Sequence, residues 1–172
     1  RSVEDGSLIE RAPEEITETM SSVQKGGYAH FMLKEIHEQP QVAREVLHML
    51  AGSSDVQAVV DQMKSARNLY FIGCGTSYHA SLHGRHLLEG IARVPAVAEL
   101  ASEFRYRDPV VGEGDLVVAV SQSGETADTL AAAKEARARG ARVLAVVNVQ
   151  GSAIARMAHG TLYTHAGPEI GV

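Results

Sequence analysis

Cysteine is nearly absent: Cys74 is the single one in 172 residues. No disulfide can form within the chain, and a reducing compartment, the cytoplasm, is the expected location. Runs of Lys and Arg are also missing, as are basic patches interleaved with aromatics. A net charge of −5 and a pI near 5.9 exclude broad electrostatic attraction to nucleic acid or to an anionic membrane. No apolar stretch reads as a transmembrane span or a secretory leader. Internal repeats and low-complexity segments are missing too. What remains is 45% apolar and 22% charged, enough for one ordinary core in a single expected domain. The chain begins with Arg1 and stops at Val172 after a Gly-Pro-Glu-Ile-Gly turn sequence, so both ends are expected to be cut from something longer.

Residues 1–27 are polar, have no sustained period and end in Lys25-Gly26-Gly27, which reads as a linker or arm. A helical leader is expected over 28–66. Phe31, Met32, Leu33 and Ile36 share one helical face, Pro40 interrupts or restarts the helix, and Val42, Val46, Leu47 and Leu50 continue the spacing. A further short helix carries Val56, Val59, Val60 and Met63. From Asn68 the pattern becomes strand, loop and helix in repetition, with strands expected near 68–72, 94–99, 115–120, 141–147 and 161–164. This predicts an α/β fold with a five-stranded, mainly parallel sheet over 67–172. Helices are expected at 77–92, packing through Leu82, Leu87, Leu88 and Ile91, and at 125–139, packing through Ala127, Leu130, Ala131 and Ala138.

Two loops carry the chemistry. Gly73-Cys74-Gly75-Thr76-Ser77 follows the apolar run 68–72, and Ser121-Gln122-Ser123-Gly124-Glu125-Thr126 follows Leu116–Val120. Each leads from a strand into a helix. In an open parallel sheet such loops face one crevice, where helix N-termini present unpaired N–H groups and partial positive charge to an anion. The donors are mostly neutral hydroxyls, an amide and backbone N–H groups. A phosphorylated small molecule held by hydrogen bonds fits that chemistry, each bond to a charged group contributing about 1.5–3 kcal/mol. The competing reading makes Ser123 a helix N-cap and places Glu125 in the first helical turn to suit the dipole. Capping needs one hydroxyl, however, and these loops gather several.

Other ligand classes lack their residues. Gly73-x-Gly75 opens like a dinucleotide fingerprint and Glu99 could imitate the ribose-binding acid, but position 78 is Tyr where the third glycine should stand. The Walker-type lysine spacing is missing as well. His79, His83 and His86 fall on one helix face, yet no carboxylate or cysteine partner has metal-type spacing, so a solvated or packed polar face is expected and no metal. Glu103, Arg105 and Arg107 fit either an anion contact or Arg–carboxylate pairing. Glu169 either faces the pocket or caps the turn.

Beyond the two loops, Tyr28-x-His30-Phe31-Met32-Leu33-Lys34-Glu35-Ile36-x-Glu38-Gln39-Pro40, Ala101-Ser102-Glu103-Phe104-Arg105-Tyr106-Arg107, Ser121 through Thr129, and Ala166 through Val172 form a long set of motifs. With these the chain resembles the first sugar-isomerase (SIS) domain of the glucosamine-6-phosphate synthase family, glutamine-dependent aminotransferases acting on fructose 6-phosphate. The loops alone indicate a phosphosugar-binding superfamily; the leader and the 101–107 segment narrow it. The resemblance implies a three-layer α-β-α sandwich of flavodoxin-like or Rossmann-like type. It also implies that Ser77, Ser121, Gln122, Ser123 and Thr126 hold the sugar phosphate, with Cys74, Gly75, Thr76 and Val172 lining the rest of the pocket. Cys74 then serves through backbone or packing contact rather than as a nucleophile.

The resemblance supplies no catalytic residue here and calls for no cofactor. The family's Schiff-base lysine and its proton-moving glutamate and histidine belong to a second SIS domain or a neighbouring subunit. None of Lys25, Lys34, Lys64 and Lys134 stands in a matching motif. A glutaminase domain is the further partner implied. The chain alone is therefore expected to bind a phosphorylated hexose without catalysis, and to form a homodimer or swap segments to cover an incomplete sheet face. The competing functions are a non-catalytic phosphosugar-sensing module and a stand-alone phosphosugar isomerase.

Overall fold

The computed structural model describes residues 24–171, which form two compact units. The smaller takes the described residues up to Glu38 together with the segment from Gly167; the larger spans Gln39–Ala166. The expected arm at 1–27 and the Val172 position lie wholly or largely outside the described residues.

Helix α1 (Phe31–Leu50) runs through Pro40 without a break. This differs from the expected interruption. Pro40 is solvent-exposed in the helix interior, so the carbonyl it leaves without its helical donor can turn to water. Within the smaller unit, Glu35 Oε1 accepts from the N–H groups of Ile170 (2.9 Å) and Gly171 (3.0 Å), tying the C-terminal segment to the start of α1. A side chain at 171 would meet Met32 N at 2.6 Å, so only glycine allows that approach. Lys34 is buried here and pairs with Glu38 at 3.5 Å.

In the larger unit α2 (Ser54–Ser65) opens on Ser53, whose hydroxyl accepts from Asp55 N. Strands β1 (Leu69–Gly73), β2 (Val97–Leu100), β3 (Leu116–Ser121), β4 (Arg142–Val147) and β5 (Gly160–Tyr163) then build one sheet in the order β2-β1-β3-β4-β5. Every pairing is parallel, with Leu69 beside Leu116 and Leu116 beside Arg142. Between strands run α3 (Gly75–Leu87) with a π-helical turn (Leu88–Ala92), α4 (Ala101–Tyr106), α5 (Ala127–Ala138) and α6 (Ala153–Met157). The expected strands are all present within a few residues. The 101–107 segment is itself largely helical.

Alternation along the strands sorts side chains between two cores. Ile72, Val117, Ala119, Val143, Ala145 and Val147 pack on one face with Phe104, Ala132, Ala133, Ala136 and Ile154 from α4, α5 and α6. Leu69, Phe71, Leu116, Val118 and Leu144 pack on the other with Val59 and Met63 of α2 and Leu88. Burying each such Val, Leu, Ile or Phe contributes about 1.5–3 kcal/mol relative to exposure. A parallel sheet covered on both faces is the three-layer α-β-α arrangement.

Two helices turn differently from the sequence expectation. The buried stripe of α5 is Thr129, Ala132, Ala133 and Ala136, whereas Ala127 and Ala138 are exposed. Alanine occurs on several sides of this helix, so composition carries little amphipathic signal and the sheet decides which side is buried. On α3, Ser81 is buried while Leu87 and Ile91 are 46% and 79% exposed. The π-helical turn shifts the side-chain phase after Leu87, and Leu88 alone of the expected four joins a core cluster.

At the amino-terminal ends of the central strands, Asp115 is 1% exposed and fully engaged. Arg67 donates to both its oxygens (3.0 and 2.9 Å), Asn68 Nδ2 to Oδ1 (2.8 Å) and Gly112 N to Oδ2 (2.9 Å). Burial pushes the carboxyl up, but the bonds from Arg67, Asn68 and the Gly112 N–H, with the Arg67 charge, outweigh it and hold Asp115 below the usual carboxylate range. A depressed carboxylate stabilises the fold above its unfolded-state pKa, about 3.9, and loses that contribution as pH falls through its folded value. D115N is therefore expected to lower stability by about 1.5–3 kcal/mol at neutral pH. In urea unfolding the gap from wild type should close below about pH 4.

Candidate functional site

The sheet order places β1 beside β3, with β2 outward on one side and β4 outward on the other. Connections leave the two neighbours toward opposite edges, which opens a crevice at their carboxyl ends, the usual ligand position in such sheets. Both glycine-containing loops leave from those ends. The first passes through Cys74, the N-cap position of α3, and the second through Thr126, the N-cap position of α5; neither side chain makes a capping bond. Two helix starts thus stand side by side without a cap from their own N-cap side chains. They also touch: the buried Thr129 hydroxyl of α5 donates to Cys74 Sγ at 3.7 Å.

Close approach explains the first glycine. A Cβ on Gly73 would sit 3.0 Å from Val120 O and 3.2 Å from Ser77 Cβ, so the turn into α3 is pressed against the end of β3. Gly75 and Thr76 are exposed, and Cys74 and Ser77 half-buried. In the second loop Ser121 is 4% exposed, accepts from Gly124 N at 3.0 Å and lies 3.1 Å from Thr126 Oγ1. Ser123 Oγ accepts from Glu125 N at 3.2 Å. Gln122, Ser123 and Thr126 are half-buried.

Neither part of the competing capping reading of this loop matches the structure. Helix α5 starts at Ala127, so Ser123 closes a small turn upstream of it and is not its N-cap. Glu125 lies before the helix rather than in its first turn, and its Oε1 accepts from Ala153 N at 2.7 Å. The loop is also held by neighbouring backbone: Gln122 O accepts from Asn148 N (3.0 Å) and Val149 N (3.3 Å), and Gly124 O from Ile154 N (3.0 Å). Sequence reading missed this support from residues 148–154, because the bonds join carbonyls and N–H groups that every residue type carries. The Ser152 side chain packing on Gly124 left no signal either.

Among the other candidates, Glu99 is bound by Arg107, with Nη2 to Oε2 at 2.8 Å, and Arg105 pairs with Asp128 at 3.0 Å. The 101–107 arginines thus take the Arg–carboxylate alternative. Glu99 raises the Arg107 pKa, chiefly by its hydrogen bond. His79, His83 and His86 lie exposed along α3. A cavity of about 450 Å³ lined by Gln62, Ser65, Asp115, Arg142 and His159 opens at the amino-terminal end of the sheet. It is at the opposite end of the strands from the two loops.

Paired helix starts at the carboxyl ends of adjacent strands, in a β2-β1-β3-β4-β5 sheet, define a class of α/β domain. The SIS domain model matches residues 62–172, and the chain belongs to that family. At 47% identity over 98% of its length it is similar to glutamine–fructose-6-phosphate aminotransferase (isomerizing) of Clostridium acetobutylicum, and at 48% over 99% to the protein of that name from Symbiobacterium thermophilum. It spans 29% and 32% of those relatives' lengths. Among solved structures, the C-terminal domain of glucosamine-fructose-6-phosphate aminotransferase from Francisella tularensis is similar with a TM-score of 0.77 and 37% identity, over 86% of this chain and 42% of that one.

Gly124 has φ +64°, and a Cβ there would fall 2.1 Å from Ser152 Oγ. G124A is therefore expected to destabilise the fold by about 2 kcal/mol or more through overpacking and backbone strain. Adding S152G should recover the packing part and leave the strain, which a double-mutant cycle of thermal unfolding would separate.

Proposed function

We propose that this chain is a phosphosugar-binding domain whose ligand is fructose 6-phosphate or its product glucosamine 6-phosphate. The observation that carries the reading is the Thr129–Cys74 contact, which joins two helix starts, without N-cap side-chain bonds, over adjacent strands. Ser77, Ser121, Gln122, Ser123 and Thr126 hold the phosphate. Cys74, Gly75 and Thr76 line the sugar. The names of the relatives support the choice of sugar, and the neutral donor set supports phosphate held by hydrogen bonds.

The geometry supports binding at this site. The phosphate oxygens take N–H groups at the starts of α3 and α5, where the helix dipoles favour negative charge. Ser121 already accepts from Gly124 N and Ser123 from Glu125 N, which fixes both oxygens. The Ser123 proton, and whichever proton the 3.1 Å Ser121–Thr126 contact does not use, can turn toward an anion. Four or five such bonds sustain micromolar affinity, about −8 kcal/mol.

The whole protein makes glucosamine 6-phosphate from fructose 6-phosphate and glutamine in the cytoplasm, with a glutaminase domain and a second SIS domain beside this one. No residue of this chain is assigned a covalent or proton-transfer role, so the isolated chain binds without turning over. It assembles as a homodimer, and a clean monomer by light scattering would count against that assembly.

Calorimetric titration tests the ligand, with fructose, inorganic phosphate and a nicotinamide dinucleotide as comparisons. Fructose 6-phosphate is expected to bind and the dinucleotide not. S77A and T126A should each weaken binding about tenfold or more, as loss of one bond to a charged group predicts. Dinucleotide binding, or isomerisation of fructose 6-phosphate by the chain alone, would overturn the assignment.

A further inference from the structure

A carboxylate in the middle of a loop that holds a phosphate is an electrostatic cost unless it does something else. Glu125 stands between Gly124 and Thr126, and its Oε1 takes the Ala153 N–H at 2.7 Å, at the start of α6. The other bonds from residues 148–154 to this loop end on backbone oxygens, at Gln122 and Gly124. No substitution removes those acceptors. At Glu125 the grip depends on a side chain.

From these bonds we infer that Glu125 is a positioning residue of the phosphate loop, acting through Ala153 rather than on the ligand; its effect on affinity rests on the phosphosugar reading above. Its own N–H donates to Ser123 Oγ at 3.2 Å, so holding the Glu125 backbone also holds that hydroxyl. On its other side Gly124 N donates to Ser121 Oγ and Gly124 O accepts from Ile154 N. One carboxylate bond therefore helps set the two serine oxygens, while drawing the negative charge toward an N–H group.

Two variants separate position from charge. E125Q keeps an acceptor oxygen for Ala153 N but loses the charge; E125A loses both. Fructose 6-phosphate affinity is expected to fall about tenfold in E125A, as for loss of one charge-assisted bond, and to be largely restored in E125Q, where a neutral bond takes its place. If Glu125 acted by repelling the phosphate, both variants would instead bind more tightly, which would overturn the inference. Amide hydrogen exchange at Ala153, measured without ligand, should quicken about tenfold in E125A and less in E125Q. Unchanged exchange in E125A would also overturn it. Should the wild-type chain fail to bind fructose 6-phosphate, the phosphosugar reading falls, and exchange at Ala153 and Glu125 still decides whether the clamp exists.

Discussion

The pairing of β1 with β3 is the constraint on which the rest depends. Leu69 to Ile72 lie in register with Leu116 to Ala119, and both strands are buried on two faces. Because β2 then lies outside β1 and β4 outside β3, the chain must leave these neighbours in opposite directions. The gap this opens at their carboxyl ends brings two helix N-termini together. At the other end of the strands, Asp115 gathers Arg67, Asn68 and the Gly112 N–H, joining the entrances to β1 and β3. One end of the pair is tied together by a buried carboxylate, and the other carries the two helix starts.

The open end is suited to an anion without being strongly basic. Its donors are hydroxyls, an amide and peptide N–H groups, and the net charge of the chain is −5. The proposed ligand would therefore be attracted locally, over the first turn of each helix, and recognised by hydrogen-bond geometry more than by long-range field. Such a site needs its oxygens and N–H groups held to a few tenths of an ångström, which gives meaning to the backing from residues 148–154. Ser152 against Gly124 and Ala153 on Glu125 serve the loop without belonging to it.

Much of this was legible in residue order. Apolar runs such as Leu116–Val120 alternate with helix-length segments, and that rhythm names a parallel α/β sheet because strands buried on both faces must be apolar throughout. The two loops declared themselves by glycines and hydroxyls directly after strands. The burial of α5 was less legible, since alanine on several sides of the helix gives no preferred face, and the π-helical turn that begins at Leu88 shifts the phase that Ile91 would otherwise have kept. Glu125 was misplaced for a related reason: a carboxylate near a helix start suits that helix's dipole, while its actual partner, Ala153, lies 28 residues away.

By itself the sequence determined the strand and helix periods, the two loops and their chemistry, and the family resemblance, since each resides in local residue type and spacing. Only the tertiary structure decided the order β2-β1-β3-β4-β5, the contact of Thr129 with Cys74, the Arg67–Asp115 pairing and the partner of Glu125. Those depend on which surfaces meet when both faces of the sheet are covered. Distant peptide groups look alike in sequence, and only folding brings particular ones within hydrogen-bond reach.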